Sequence, residues 1–190
     1  MDRSMWSNLK RITRRLTSLA SPPPRKPGTS RAPKRAASPS PQHSASPFPG
    51  PHEKAVEYDV ARFGLPDFEY EPVRNGAPDP GEVVWTWVPF DENDGRRKDR
   101  PVLVVADTEE HVIFAQMTSK DKTPAASREA KHGRYWMDIG TGGWDPRRRP
   151  SEVRLDRLLV AHGSQIRREG SYVRKDIFDD VVRAIKNVHS

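Results

Sequence analysis

Three groups of polar residues stand beside apolar segments in the second half of the chain. Arg100 directly precedes one apolar run, Thr118 ends the next, and Arg154 and Asp156 alternate with apolar residues farther along. A period of two places Arg154 and Asp156 on the same face of a strand. A guanidinium stabilises an anion, a hydroxyl donates a hydrogen bond and a carboxylate accepts a proton, so all four residues are candidates for catalysis. Taken singly, each also fits a structural role, as a solvated loop arginine, a turn or an exposed ion pair.

Several classes of site are excluded by the residues that the sequence lacks. The chain has no cysteine, which rules out disulfides, zinc thiolate sites, iron–sulfur clusters and a cysteine nucleophile. Its six histidines are scattered without the spacing of metal ligands, and no P-loop or dinucleotide-binding glycine motif occurs. We therefore expect no metal and no cofactor.

The positive charge of the protein is concentrated at its N-terminus. The 190 residues carry a net charge of +7, but residues 1–50 hold ten Lys or Arg and one acid, whereas residues 51–190 hold 23 basic and 25 acidic side chains. No run of about 18 apolar residues is present, and the basic N-terminus lacks the apolar core of a secretory signal. These features predict a cytoplasmic protein with a basic tail.

Composition divides the chain into four segments. Residues 1–20 have an apolar stripe at helical spacing among basic residues, which fits a frayed tail or a helix that docks on anionic lipid, RNA or an acidic partner. Residues 21–50 contain nine prolines with many Ser and Ala, and are predicted to be a disordered linker. Residues 51–79 are predicted to be an irregular arm with a short helix near 53–62, and residues 80–190 to be the folded domain. Weak contact with an anionic surface is expected through residues 1–35.

Short apolar segments dominate the predicted domain. Val83, Trp85 and Trp87 share one face of the first predicted strand, and the two tryptophans are predicted to point into the core. A terminal helix is predicted from Asp176, as its N-cap, to about residue 188. Strands are predicted at residues 81–88, 101–106, 111–117, 134–139, 152–155 and 165–167. So many short strands with one helix favour a small, strongly bent sheet or barrel.

Four segments of the domain, in order, resemble one known family. The runs GEVVW, DRPVLVV, AQMTSKD and SEVRLDRLLV resemble the conserved segments of the PemK/MazF toxins of type II toxin–antitoxin systems. The resemblance covers about residues 80–190. It implies a mainly β fold with a C-terminal helix, a small SH3-like barrel of the PemK/MazF/CcdB type. It also implies a homodimer, metal-independent cleavage of single-stranded RNA, and inhibition by a protein antitoxin.

The resemblance also implies roles for the candidate residues. Arg100 matches the family's arginine before the conserved proline, Thr118 matches the hydroxyl residue that ends the third strand, and Arg154 and Asp156 match an arginine and aspartate near the scissile phosphate. The two arginines are expected to clamp the phosphate, Asp156 to accept or relay a proton, and Thr118 to donate a hydrogen bond.

Further residues are candidates for RNA contact beyond the scissile phosphate. Trp144 suits base stacking, and basic or polar neighbours suit contacts to phosphates; the full set is Ser119, Lys120, Trp144, Arg147 and Arg148. An exposed basic turn explains residues 147–149 equally well.

Two hypotheses of function remain open. The first is the endoribonuclease. The second is a non-catalytic barrel that binds a protein, nucleic acid or membrane surface with help from the tail. The long N-terminal extension and the loop DENDGRRKD, which is more acidic than the corresponding family loop, favour the second hypothesis. The intact set of Arg100, Thr118, Arg154 and Asp156 favours the first, which is our main prediction.

Overall fold

A computed structural model describes residues 47–73 and 75–190, so the predictions for the basic segment and most of the linker lie outside the described residues. The described chain forms seven strands and three α-helices. Their bounds are β1 (Val56–Glu57), α1 (Val60–Phe63), β2 (Glu82–Pro89), β3 (Arg97–Asp107), β4 (His111–Thr118), α2 (Ala126–Lys131), β5 (Trp136–Asp138), β6 (Glu152–His162), β7 (Arg168–Tyr172) and α3 (Lys175–Val188).

All seven strands belong to one antiparallel sheet. Its order is β1-β6-β4-β3-β2-β7, with β5 attached to β6. Together with the terminal helix α3, this confirms the predicted fold class, a mainly β domain with a C-terminal helix. No helix in the described ranges is long and apolar enough to cross a membrane.

The sheet curls around its own side chains. One cluster of nine buried residues has eight members on β2, β3, β4 and β6, and the ninth is Ala55 in the arm. Val102, Val104 and Phe114 in this cluster have no exposed surface. These residues lie on one face of the sheet, and few residues from outside the four strands cover that face. The strands therefore bend so that the residues of this face pack against one another. Register shifts between β2 and β7, β3 and β4, and β4 and β6 provide the bends.

The opposite face of the sheet packs against α3. Phe178, Val181 and Ile185 of the helix join a second apolar cluster with residues of the strands. The helix begins one residue before Asp176, and Arg174 occupies the N-cap position without a side-chain hydrogen bond to the helix backbone. The prediction of Asp176 as the N-cap is therefore wrong. Its carboxylate lies in the first helical turn, where it accepts a hydrogen bond of 2.7 Å from Arg174 Nη2 and complements the helix dipole.

Three other predicted elements differ in length or place. β6 continues past the predicted end at residue 155 to His162. The prediction stopped too early because Leu155 and Leu158, three residues apart, both face the same apolar cluster, which breaks the alternation expected of a strand. The strand predicted at residues 165–167 is β7, which begins later, at Arg168–Tyr172. Residues 163–165 form a short 3-10 helix. The helix predicted near 53–62 is the single turn of α1.

The arm is an integral part of the domain. β1 pairs with the outer edge of β6 through Val56 and Val160, and the Tyr70 hydroxyl donates a hydrogen bond of 2.8 Å to the Val173 carbonyl oxygen. Phe48, which precedes the predicted start of the arm at residue 51, contacts the rings of Tyr58, Phe63 and His111. The arm thus closes a sheet edge and part of the core.

We predict that removing residues 1–46 leaves the melting temperature within a few degrees, whereas removing residues 1–78 lowers it by more than about 10 °C. Each buried aromatic side chain of the arm contributes roughly 1.5–3 kcal/mol, and 1 kcal/mol is worth about 2–8 °C in a domain of this size. Calorimetry on both truncations compares them directly. Equal melting temperatures for the two would contradict the structural role of the arm.

Candidate functional site

A cleft opens where strands β3 and β4 part. Their ladder ends at the pair Val102 and Gln116. Beyond it, β3 runs back to Arg97 paired with β2, while β4 runs on to Thr118 paired with β6. The resulting cleft has a volume of about 680 Å³ and is walled on its far side by α2, Trp136 and the turn at residues 144–149. Because β3 and β4 diverge, the polar residues at their ends lie around the cleft.

Most of the residues predicted from the sequence meet in this cleft. Its lining includes Arg100, Thr118, Ser119, Lys120, Trp144 and Arg154. Asp156, Arg147 and Arg148 do not line it, and Arg149 does. Four arginines therefore face the cleft, namely Arg100, Arg134, Arg149 and Arg154.

Arg154 is held on two sides by carboxylates. Its Nε and Nη2 donate to Asp156 Oδ2 at 3.0 and 2.8 Å, and its Nη1 donates to Asp91 Oδ1 at 2.7 Å. The side chain is only 8% exposed. Burial lowers the pKa of Arg154, but the two carboxylates outweigh burial and raise it. The planar fork expected to clamp a phosphate is therefore occupied by Asp156.

Asp91, in the loop after β2, binds three arginines. Besides Arg154, its Oδ1 accepts a hydrogen bond of 3.1 Å from Arg157 Nη1, and its Oδ2 lies 3.2 Å from Arg134 Nε. Partial burial acts to raise the pKa of Asp91, but the hydrogen bond and charge of Arg154, with the charges of Arg157 and Arg134, hold that pKa below its usual range. Asp91 is thus a carboxylate anion at neutral pH.

A bulge in β6 brings these arginines to Asp91. Ala115 of β4 pairs with Leu158, and Met117 pairs with Val153, so residues 154–157 lie opposite the single residue Gln116. This segment leaves the ladder with β4 and pairs through Arg154 with Trp136 of β5. The bulge changes which residues face the core, and both Arg154 and Arg157 consequently reach Asp91 in the loop after β2.

Arg100 differs from the other three arginines of the cleft. Arg134 contacts Asp91 and Glu129, Arg149 donates to Asp145 at 2.6 Å, and Arg154 is bonded as described. Within the described ranges, the Arg100 guanidinium donates no hydrogen bond and forms no ion pair; it lies 5.9 Å from the centre of the Phe90 ring. Burial lowers the pKa of Arg100 and the charge of Asp91 opposes that shift. Its donors are consequently available to an anion in the cleft.

Thr118 lies across the gap from Arg100, at the end of β4. Its side chain is buried, and its Oγ1 accepts a hydrogen bond of 3.1 Å from the backbone N–H of Lys120. That bond fixes the oxygen and leaves the hydroxyl hydrogen to be donated. The turn at Ser119 and Lys120 follows directly, so the strand end presents a hydroxyl and an ammonium to the cleft.

Two parts of the cleft were not identified from the sequence. Asp91 sits in an acidic loop that looks solvated, and Glu129 lies on α2, for which no helix was predicted. Glu129 is buried with its oxygens 3.6 Å from Lys122 Nζ and 3.5 Å from Arg134 Nη1. The run ASREAK, rich in strong helix formers, is the signal that indicates α2.

Two tryptophans lie opposite to where they were predicted. Trp144, expected to stack on bases, is 7% exposed in the apolar core, and its Nε1 donates to Ser151 Oγ at 3.1 Å. Its ring packs against Gly142, where a Cβ atom would overlap it. Trp87, expected in the core, is 38% exposed. Its neighbours Thr86 and Val88 are buried, so Trp87 lies on the opposite face of β2, which is not covered at this point.

Comparisons with known proteins agree with the resemblance drawn from the motifs. Residues 79–189 match the family model described as the PemK-like, MazF-like toxin of type II toxin–antitoxin systems. No curated protein matches the sequence significantly.

Among solved structures, a MazE–MazF crystal structure from Deinococcus radiodurans is similar. It has 14% identity and a TM-score of 0.43, and the match covers 60% of this chain and 96% of that one. The Mycobacterium tuberculosis toxin MazF-mt6 has 18% identity and a TM-score of 0.40, over 57% of this chain and 95% of that one.

We predict that Asp91→Asn lowers the free energy of unfolding by about 1–2 kcal/mol at pH 7. The loss of the charge leaves Arg154 and Arg157 buried with fewer partners, and the one-third exposure of Asp91 keeps the effect below that of a fully buried pair. A carboxylate whose pKa is lowered by folding stabilises the protein above its unfolded pKa and ceases to do so as the pH falls through the folded pKa. The difference between wild type and variant should therefore be constant from pH 8 to about pH 5 and shrink below it.

Urea denaturation at several pH values measures this difference. The matched control is Asp94→Asn, in the same loop, because the Asp94 side chain is exposed and bonds only within the loop, to the neighbouring Arg96. A loss of stability in Asp91→Asn that is no larger than in this control would contradict the role assigned to Asp91.

Proposed function

The chain belongs to the PemK-like, MazF-like toxins of type II toxin–antitoxin systems, and from that premise we propose that it is a metal-independent endoribonuclease of single-stranded RNA. The observation that carries the proposal is the pairing state of the cleft arginines. Arg100 has its donors available, opposite the fixed hydroxyl of Thr118, while Arg134, Arg149 and Arg154 are each bound to a carboxylate. Such an arrangement suits the binding of one phosphodiester group.

The proposed reaction is an internal transesterification. The 2′-hydroxyl oxygen attacks the adjacent phosphorus and the bond from phosphorus to the 5′-oxygen breaks. The departing 5′-oxygen takes up a proton from water, so the products are a 2′,3′-cyclic phosphate and a 5′-hydroxyl. Arg100 stabilises the negative charge that develops on the non-bridging oxygens. An arginine side chain stays protonated in proteins, so Arg100 acts as a charged hydrogen-bond donor rather than as the acid. Thr118 donates a second hydrogen bond to the same oxygens.

In this proposal Asp91 accepts the proton of the 2′-hydroxyl. It lines the cleft, is 35% exposed, and is the carboxylate whose charge acts on Arg100. Its lowered pKa keeps it ionised throughout the neutral range. Asp156, the acceptor expected from the sequence, lies outside the cleft lining and bonds to Arg154. In this proposal Asp156 and Arg154 are positioning residues, because they act by fixing Asp91.

The proposal extends to partners and location. A homodimer, a cognate protein antitoxin and a cytoplasmic location all follow from the family, and single-stranded RNA is the substrate class. The conserved segments lie within the matched residues 79–189, so we place both RNA cleavage and antitoxin binding in that part of the chain.

A second candidate function is a non-catalytic binding module. The pairing of three of the four cleft arginines with carboxylates supports it, since few positive charges remain for a polyanion. The net charge of −2 over residues 51–190 points the same way. This candidate predicts binding without cleavage.

The deciding experiment is incubation of the full chain with a long single-stranded RNA in the presence of EDTA. We predict cleavage, with fragments ending in a 2′,3′-cyclic phosphate, because the proposed nucleophile is the 2′-hydroxyl of the substrate. A substrate with deoxyribose at the mapped cut site is the control and should remain intact. Cleavage that requires a divalent metal, or equal cleavage of DNA, would contradict the mechanism, and binding without any cleavage would favour the module.

We further predict that Arg100→Ala slows cleavage by on the order of 100-fold or more, the usual cost of removing one preorganised donor to a developing charge. Arg100→Lys should restore little, because an ammonium lacks the planar fork of a guanidinium. The matched control is Arg96→Ala, which removes an equally charged but exposed loop side chain paired with Asp94. Single-turnover rates measure the effect, and a full rate in Arg100→Ala would refute the assigned role.

A further inference from the structure

An exposed tryptophan lies at the rim of the cleft with two arginines over its ring. The guanidinium carbon of Arg97 is 5.5 Å from the centre of the Trp87 ring, and that of Arg167 is 4.7 Å away. We call these three residues the rim cluster. Trp87 is 38% exposed and is the most exposed tryptophan among the described residues. An aromatic ring with guanidinium groups around it is a strong contact surface that the folded domain leaves open to solvent.

The positions of the rim cluster follow from the register of three strands. Trp87 lies directly across from Asp99 of β3, and Arg97 lies across from Pro89, two residues farther along the same face. Arg167 approaches from the other side of β2, where its backbone N–H donates a hydrogen bond of 3.1 Å to the Trp85 carbonyl oxygen. The rigid pairing of β2 with both neighbours therefore holds the two arginines on either side of Trp87.

The rim cluster is continuous with the cleft. Trp85, two residues before Trp87 on the same face of β2, lines the cleft. Asp99, the cross-strand partner of Trp87, lines it as well. Asp99 also forms an ion pair with Arg167. A chain that lies in the cleft beside Arg100 and leaves it along the β2–β3 hairpin would pass over Trp87 next.

The charges of the rim cluster favour an anionic partner. Arg167 is partly neutralised by Asp99, but Arg97 is exposed and, within the described ranges, forms no ion pair with a carboxylate. Single-stranded nucleic acids are bound by this combination, in which bases stack on aromatic rings or guanidinium planes while phosphates contact the basic groups. A protein partner would instead favour a larger apolar surface around the tryptophan.

We propose that the rim cluster is a binding site for an unpaired nucleotide of the RNA that flanks the scissile phosphodiester, with its base against Trp87 and its phosphate on Arg97. The inference rests on the proposed function and names a second contact for the same substrate. It makes Trp87 and Arg97 binding residues for the flanking RNA, remote from the reacting atoms. Their loss should weaken binding of longer RNAs and leave the chemical step unchanged once RNA is bound.

The test uses the full chain and a series of 2′-O-methyl oligonucleotides of mixed sequence, from three to nine nucleotides, which cannot be cleaved by 2′-hydroxyl attack. We expect Trp87→Ala to weaken binding of the longest oligonucleotides by about 5- to 100-fold, and of the shortest hardly at all. Trp87→Phe, which keeps a ring, should retain most of the affinity. Tyr172→Ala is the matched control, because Tyr172 is also an exposed aromatic residue, on β7, but lies outside the rim cluster and the cleft.

Arg97→Gln provides a second, independent measurement. Loss of one phosphate contact to a single strand should reduce the slope of log affinity against log salt by about 0.7. Arg183→Gln on α3 removes the same charge from a residue paired with Asp180 and should leave the slope unchanged. Both variants alter exposed side chains, so their fold is expected to be intact and circular dichroism checks it.

The outcomes separate this inference from the proposed function. If wild type binds and cleaves RNA while Trp87→Ala and Arg97→Gln bind every length normally, the rim cluster is no RNA site and the nuclease proposal stands. If wild type neither binds nor cleaves RNA, both proposals are wrong. If Trp87→Ala lowers the oligomeric mass by light scattering and leaves RNA affinity unchanged, the rim cluster is a protein contact and the inference is overturned.

Discussion

The cleft depends on one interaction, the binding of Asp91 to Arg134, Arg154 and Arg157. Arg154 and Arg157 are buried, and a buried guanidinium without a partner costs several kcal/mol. The bulge in β6 that brings both of them to the loop after β2 is stabilised by the anion that they share there. Asp91 is that anion, and it sits in the loop between β2 and β3. The same contact therefore stabilises the bulge, holds the loop down and fixes the cleft wall.

A division of charge follows from this arrangement. The carboxylates Asp91, Asp145, Asp156 and Glu129 are each bound to arginine or lysine, which leaves Arg100 as the guanidinium without a carboxylate among the described residues of the cleft. A guanidinium without a carboxylate partner, next to three that are paired, is the planar donor group that an incoming anion can bind. Anion binding in the cleft thus depends on which basic side chains lack a carboxylate partner, rather than on the total positive charge. This agrees with the nearly neutral composition of residues 51–190.

Strands β3 and β4 were predictable because their apolar runs are continuous and buried on both faces, and the meeting of Arg100 with Thr118 and Arg154 came from the motif order. The rest required long-range information. The end of β6 was missed because its bulge interrupts the period of two between Leu155 and Leu158. Asp91 was missed because its three partners come from residues more than forty positions away in the chain. Trp87 and Trp144 exchanged their expected places because alternation identifies a face, but only the tertiary structure decides whether that face is covered.

The arm joins the same charge network, since Arg157 Nε also donates a hydrogen bond of 3.0 Å to Glu57 Oε2 on β1. Glu57 lies before the residues that match the family model, whereas Arg157 and Asp91 lie within them. Grafting residues 79–189 alone into a chimaera would therefore transfer a buried arginine without one of its two carboxylates and leave the edge of β6 unpaired. In this protein the segment that matches the family model is shorter than the segment that packs as one domain. A graft would have to begin near Phe48 to carry the site intact.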